Sequence, residues 1–160
     1  LLSGAVLHDM GKIHEYTWDV TIDYSDGGRL VGHMAFGVEI LDAKLRGMKD
    51  APPGEAMLLR HMILSHHGVA EYGAVKLPMT REALVLHLCD DLDAKVAWIG
   101  RLIAELPEGE SWSSFQQLFG RRFHRGLPGS PETADADGGP EGAAGTQLSL
   151  FSGPGRDPDA

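Results

Sequence analysis

Cysteine is nearly absent from this 160-residue sequence, which contains a single one, Cys89. No intrachain disulfide can form, so the fold has to depend on a hydrophobic core, and a reducing compartment such as the cytoplasm fits this composition. The leucines around Cys89 in VLHLCDDL predict that its side chain is small, apolar and buried.

Long hydrophobic runs are also absent. No stretch reaches the roughly 18 apolar residues needed to cross a bilayer, and no basic segment precedes an apolar one as in a signal peptide. We therefore predict a soluble, non-exported, cytoplasmic protein. The first residue is Leu1 rather than methionine, and it already lies in a helical apolar pattern, so we expect the domain to be incomplete at this end.

Basic residues are in the minority, since 14 lysines and arginines face 23 aspartates and glutamates for a formal net charge of −9. Residues 127–160 hold six of these acids and one base, Arg156, which leaves −4 for residues 1–126. Binding nucleic acid by bulk electrostatics requires clustered lysine and arginine. The composition argues against that mode and leaves a metal-dependent site open.

Apolar residues recur at helical spacing in four stretches: Leu1 to about Lys12, about Leu30 to Arg46, Glu55 to His67, and Thr80 to about Leu106. Gly68 is placed to end the third helix, and Thr80 to cap the fourth. The linker TWDVTIDYSDGGR has room for a short extended segment. We therefore predict an all-α domain, a helical bundle, over residues 1–126.

The composition changes after residue 126, because residues 127–160 contain seven glycines and five prolines. Apart from Leu127, the large apolar residues of this segment are Leu148, Leu150 and Phe151. So few apolar side chains cannot drive folding. We predict a disordered acidic tail with one short apolar island.

Residues that bind metals recur at the ends of the predicted helices or on them: His8, Asp9, His33, His66, His67 and Asp90. A single histidine on an apolar helix is more often part of the core or surface. A mixed set from four helices can instead hold one or two hard divalent cations, with Asp9 as the natural bridge. Paired ions position a water for in-line attack at phosphorus, which is phosphoester hydrolysis.

Four sequence words then carry a family resemblance: HDMGKIHE, GGRLVGH, LSHHGVAEYG and LHLCDDLDAK. Their order and spacers resemble those of the HD-domain metal-dependent phosphohydrolases, and in particular the YhaM-type 3′-5′ exoribonucleases. The resemblance covers about residues 1–125. It implies an all-α HD domain with a divalent metal centre that removes nucleotides from the 3′ end of single-stranded RNA, with DNA as a second candidate substrate.

The resemblance also assigns roles residue by residue. It makes His8, Asp9, His33, His66, His67 and Asp90 the metal ligands. Asp9 is expected to be catalytic, and Lys12 to be catalytic through contact with a substrate phosphate; a solvated lysine at a helix end is the structural alternative. Tyr72 could stack on a base and Lys76 could contact a phosphate, although a packed loop tyrosine explains Tyr72 equally well.

Mixed nitrogen and oxygen ligands favour Mn²⁺, with Fe²⁺, Mg²⁺ and Co²⁺ as alternatives.

Two departures from the family pattern concern the start of the chain. Such HD domains usually take a further histidine from a helix that precedes the His-Asp pair, and YhaM-type proteins carry an N-terminal OB-fold domain that binds nucleic acid. Neither precedes Leu1 here. We expect the remaining metal ligand and many of the contacts that bind the substrate to lie upstream of Leu1.

Two other functions stay open at this point. HD domains host several activities, so a phosphohydrolase of nucleotides or cyclic dinucleotides is one alternative. A non-catalytic binding module recruited through its tail is the other. The intact ligand pattern argues against the second, and the loops that resemble YhaM-type enzymes argue against the first.

The apolar island of the tail has a pattern of its own. Its residues Gln147, Leu148, Ser149, Leu150 and Phe151 resemble the pentapeptide by which bacterial proteins bind the replication sliding clamp. A disordered segment can place its apolar side chains in a pocket while the glutamine fixes the orientation. Packing of these side chains onto the domain, or a chance match, is the alternative.

Overall fold

Helices form most of the described part of the chain, which in this computed structural model is residues 1–126. They are α1 (Leu2–Leu7), α2 (Lys12–Glu15), α3 (Asp26–Leu30), α4 (His33–Arg46), α5 (Pro53–Ser65) and α6 (Arg81–Ala104). This confirms the predicted all-α class, with one addition described below. The predicted tail, with residues 147–151, lies outside the described residues.

The described residues divide into two units, residues 1–90 and residues 91–126. The first unit contains every residue of the predicted metal centre. In the second, α6 is followed by irregular chain with a 3₁₀ turn at Gln117–Phe119 and isolated bridges that pair Trp112 with His124 and Gln116 with Arg121.

The first predicted helix is interrupted at the candidate ligands. It ends at Leu7 and resumes at Lys12, so His8 and Asp9 lie in the turn between α1 and α2. Gly11 explains why the turn is needed, since a Cβ there would lie 1.9 Å from the carbonyl oxygen of His33. The close approach of two backbones brings the His-Asp pair against the start of α4.

The second predicted helix is also two helices, α3 and α4, separated at Val31 and Gly32. Gly32 has a φ of 81°, a left-handed conformation that is easy for glycine and ends the helix. The interruption makes His33 the first residue of α4, so its backbone N–H has no partner within that helix.

The linker predicted to hold an extended segment forms a two-stranded antiparallel hairpin, β1 (Tyr16–Trp18) and β2 (Ile22–Tyr24). Tyr16 pairs with Tyr24, and Trp18 pairs with Ile22. Ser25 then caps α3 by accepting a hydrogen bond from the backbone N–H of Gly28 at 2.8 Å.

The core of the first unit lies between the long helices and contains the buried apolar residues Met34, Leu41, Ala56, Met62, Ile63, Ala74, Ala83 and Leu86. Gly4 lets α1 approach α5, because a Cβ there would lie 2.1 Å from the Met62 methyl carbon. Thr80 caps α6 as predicted, by accepting from the Ala83 N–H at 3.1 Å.

Two further observations bear on the composition. Within residues 1–126, no helix is both long and apolar enough to cross a membrane. Cys89 is exposed, so the prediction that it is buried was wrong. Leu88 and Leu92, which flank it along α6, are exposed as well, so apolar neighbours in the sequence did not indicate burial.

Candidate metal centre

The six predicted ligands come from four places in the first unit and converge. His8 and Asp9 follow α1, His33 begins α4, His66 and His67 follow the last residue of α5, and Asp90 lies within α6. Because the ends of three helices supply five of them, their backbone positions are set by where the helices stop.

Asp9 lies at the middle of this cluster. Its Oδ1 is 3.6 Å from Nε2 of His33 and 3.6 Å from Nε2 of His66. Its other oxygen, Oδ2, is 3.4 Å from Nε2 of His8 and 2.7 Å from Nζ of Lys12. The two oxygens of Asp9 therefore face different histidines, as a bridging carboxylate requires.

Two overlapping groups have ligand atoms that all lie within 4.8 Å of one another. One contains His33, His66 and His67, and the other contains His8, His66 and Asp90. His66, which is fully buried, belongs to both, and its Nε2 is 3.4 Å from that of His33. The donor set of imidazole nitrogens and carboxylate oxygens suits a divalent cation.

The four histidines of this cluster each have their Nδ1 atom hydrogen-bonded to an oxygen. Nδ1 faces a backbone carbonyl in three of them, Ala5 for His8, Ile63 for His66 and Tyr72 for His67. In His33 it faces the carboxylate of Glu15 at 3.0 Å. Since a carbonyl oxygen can only accept, Nδ1 must donate, and a neutral ring then carries its lone pair on Nε2. Metal-binding histidines characteristically have such an outer partner.

Comparison with known protein families finds that the model of the HD domain family matches residues 1–95. That range contains all six candidate ligands.

The chain belongs to the HD domain family.

Curated relatives of this HD domain are named 3′-5′ exoribonuclease YhaM. Those of Bacillus velezensis and Geobacillus sp. are 38% identical over 126 and 125 residues, and that of Bacillus subtilis is 37% identical over 125 residues. Each match covers 78% of this chain but only 38–40% of the relative. The chain thus spans about two fifths of the length of these relatives. No solved structure matches it.

Two carboxylates of the HD domain, those of Asp9 and Asp90, face Nε2 of His8. Hydrogen bonds to Asp9 and Asp90 raise the pKa of His8 to about 10. Burial opposes ionisation of Asp9, yet His66, His8 and Lys12 hold its pKa far below the ordinary range. Burial also opposes ionisation of Asp90, but its hydrogen bond with His8 leaves its pKa lowered. Both carboxylates are therefore ionised at neutral pH, as metal ligands must be.

Two other histidines of the cluster are shifted in the opposite direction. Burial, together with the neighbouring His66, lowers the pKa of His67 to about 4. Burial also lowers the pKa of His33, against the opposing effect of Glu15. Neutral rings at physiological pH keep the nitrogen lone pair that a metal needs.

The predicted substrate-binding residues differ in how they relate to the cluster. Lys12 is 36% exposed and directly paired with Asp9. Tyr72 joins the cluster through its backbone carbonyl, which accepts from His67. Lys76 is exposed, and its backbone N–H donates to Leu64; among the described contacts, none joins its ammonium to the cluster.

Sequence reasoning missed Glu15, which is buried at 6% exposure and binds His33 twice. Its presence in the word HDMGKIHE was the available signal, but spacing alone does not predict that a glutamate is buried. His87 lies on α6, one helical turn before Asp90, and also contacts the cluster. Its Nδ1 lies 2.8 Å from the backbone oxygen of His66, so it supports the histidine pair.

Proposed function

We propose that this chain provides the catalytic HD domain of a metal-dependent 3′-5′ exonuclease that hydrolyses single-stranded RNA, with DNA as a second substrate. The observation that carries the proposal is the convergence of four histidines on Asp9 and Asp90, each with Nδ1 bonded to an oxygen, so that Nε2 is the ring nitrogen available to a metal, which on His8 would take the place of a proton. The names of the relatives support the substrate class and the direction of cleavage.

The ligands in this proposal are His8, Asp9, His33, His66, His67 and Asp90. They would hold one or two divalent ions, and Mn²⁺ is our first choice over Fe²⁺, Mg²⁺ and Co²⁺. Divalent ions in such a site acidify the attacking water and neutralise charge on the phosphate during in-line displacement. No serine or cysteine nucleophile is needed.

The residues of the chain have distinct tasks. Asp9 faces both ligand groups and so fixes their separation, while the buried His66 is common to both. Lys12 has three donor protons and uses one on Asp9 at 2.7 Å, which leaves others for a non-bridging phosphate oxygen of the substrate. Tyr72 would stack on a base near the 3′ end and Lys76 would contact the backbone beyond it.

The proposal includes three predictions that come from the sequence. These are DNA as a second substrate, a cytoplasmic location, and recruitment to the sliding clamp through residues 147–151. The last depends on the sequence of the tail alone.

The test uses the complete protein that contains this chain, with Mn²⁺ and single-stranded RNA or DNA labelled at the 5′ end. We expect a ladder that shortens from the 3′ end and disappears in Asp9→Asn. Asp93→Asn is the matched control, because Asp93 is exposed on α6. Labelled RNA that stays intact with the wild-type protein contradicts the proposal, and release of phosphate from nucleotides would then favour the alternative phosphohydrolase.

A further inference from the structure

Glu15 is a charged residue in an unusual place. It ends α2, is only 6% exposed, and was not part of the predicted ligand set. Burying a carboxylate is costly unless hydrogen bonds replace its water, so a buried glutamate needs specific partners. Its partners indicate what it does.

Two contacts of the Glu15 carboxylate are made with His33. The same oxygen, Oε1, accepts from the backbone N–H of His33 at 2.9 Å and lies 3.0 Å from its Nδ1. The backbone N–H is available because Gly32 interrupts the helix, and His33 is the first residue of α4. Glu15 therefore caps α4 and binds the ring of its first residue at the same time.

This double contact determines the ring's hydrogen-bonding roles. A backbone N–H can only donate, so Oε1 must be turned toward His33 as an acceptor. The ring nitrogen that meets the same oxygen must also donate, which places the proton on Nδ1. The lone pair of the neutral ring is then on Nε2, which faces Asp9 Oδ1 at 3.6 Å and His66 Nε2 at 3.4 Å.

The backbone of Glu15 is itself held in place. Its carbonyl oxygen accepts from the Ser25 N–H at 2.8 Å, where the hairpin ends. Gly28 packs against the same carbonyl so closely that a Cβ would lie 2.1 Å from its oxygen. The carboxylate is thus directed at His33 from a rigid position.

His33 is also the histidine of this cluster whose outer partner is a side chain. Those of His8, His66 and His67 are backbone carbonyls, which a substitution cannot remove. A carboxylate also makes an imidazole a stronger metal ligand than a carbonyl does. The contribution of the outer partner can therefore be measured at His33.

We propose that Glu15 is a positioning residue of the metal centre, which holds His33 in the Nδ1–H form with Nε2 directed at the metal and thereby sets metal affinity. This inference rests on the proposed function, since it assumes that His33 is a ligand. Glu15 acts through His33, so its effect should be seen in metal binding before it is seen in RNA cleavage.

The experiment measures Mn²⁺ binding by titration calorimetry in the complete protein. We expect Glu15→Ala to weaken Mn²⁺ binding about 10- to 100-fold, the range typical of outer partners of metal ligands. Glu15→Gln should lose less, because the His33 N–H keeps the amide oxygen turned toward the ring. Glu39→Ala, at an exposed position of α4, is the matched control and should bind like the wild type.

The outcomes separate the inference from the proposed function. If the wild type binds Mn²⁺ and a folded Glu15→Ala variant binds it equally well, the positioning role is wrong. If the wild type binds no divalent ion, the proposed metal centre itself is wrong.

A variant that fails to fold does not end the test. Nitrogen-15 NMR of the histidine rings in the metal-free wild type reports the protonated nitrogen directly, and we expect Nδ1–H for His33. Observation of the Nε2–H form would overturn the inference without any substitution.

Discussion

Lys12 and Asp9 form an ion pair, with 2.7 Å between Nζ and Oδ2, at the edge of the candidate metal centre. The two residues are three positions apart in the chain, and both side chains are about one third exposed. The ammonium of Lys12 is therefore held beside the carboxylate that faces both ligand groups, while part of the lysine side chain stays exposed to solvent.

This pair leads to a prediction for Lys12→Gln. We expect RNA cleavage to fall about 100-fold, the usual effect of removing one donor to a charge that develops in the transition state. Mn²⁺ binding should not weaken, because the substitution removes a cation from beside the site. Cleavage rates and metal titrations check this, with Lys44→Gln on the exposed side of α4 as control. Unchanged cleavage would restrict Lys12 to a structural role.

Asp90 and Asp91 are adjacent on α6 but have different partners. Asp90 lies 3.6 Å from His8, whereas Asp91 pairs with Lys95 at 2.6 Å. We expect Asp90→Asn to lose Mn²⁺ affinity and most RNA cleavage, because a ligand atom and its charge are removed. Asp91→Asn should keep both, since a partly exposed pair of this kind contributes only about 0.3–0.5 kcal/mol. Equal loss in the two variants would contradict the ligand assignment.

Gly68 follows the histidine pair and has a φ of 81°. A Cβ there would also lie 2.1 Å from the His87 ring, which binds the His66 carbonyl. We expect Gly68→Ala to lower the free energy of unfolding by at least about 1 kcal/mol and to weaken Mn²⁺ binding. Urea unfolding and metal titration measure the two effects.

The matched control for Gly68 is Gly54 in α5, where a Cβ meets nothing within 4 Å. Gly54→Ala should stabilise the fold by about 0.5–1 kcal/mol, since alanine is the better helix former. A Gly68→Ala variant that is as stable as the wild type would show that the His66–His67 turn does not depend on this glycine.

The tail prediction needs no structure of the tail. A peptide that covers residues 145–153 is expected to bind purified bacterial sliding clamp with modest affinity, because ordering a flexible segment opposes binding. Replacing Leu150 and Phe151 by alanine should abolish binding, since these side chains would fill the pocket. Fluorescence anisotropy measures both peptides, and no binding at high micromolar concentrations would refute the clamp prediction.

Most of the candidate site could be predicted because its information is local and chemical. The order of the histidines and aspartates along the chain, with a glycine after the histidine pair, is distinctive. The same local information predicted the Thr80 cap and the extended segment. Local information did not predict that the first two helices are interrupted near Gly11 and at Gly32, and both positions were expected to be helical. Gly11 is needed for a close contact with the backbone of His33, and Gly32 for a positive φ, and hydrophobic periodicity encodes neither.

The sequence by itself determined the helical class, the family and the six candidate ligands, because residue type and spacing carry that chemistry. Only the tertiary structure decided that Glu15 is buried against His33, that His87 supports His66, and that Cys89 is exposed. Each of these depends on which face of one helix packs against another element. Packing between elements is decided by the whole fold, so no short segment of sequence predicts it.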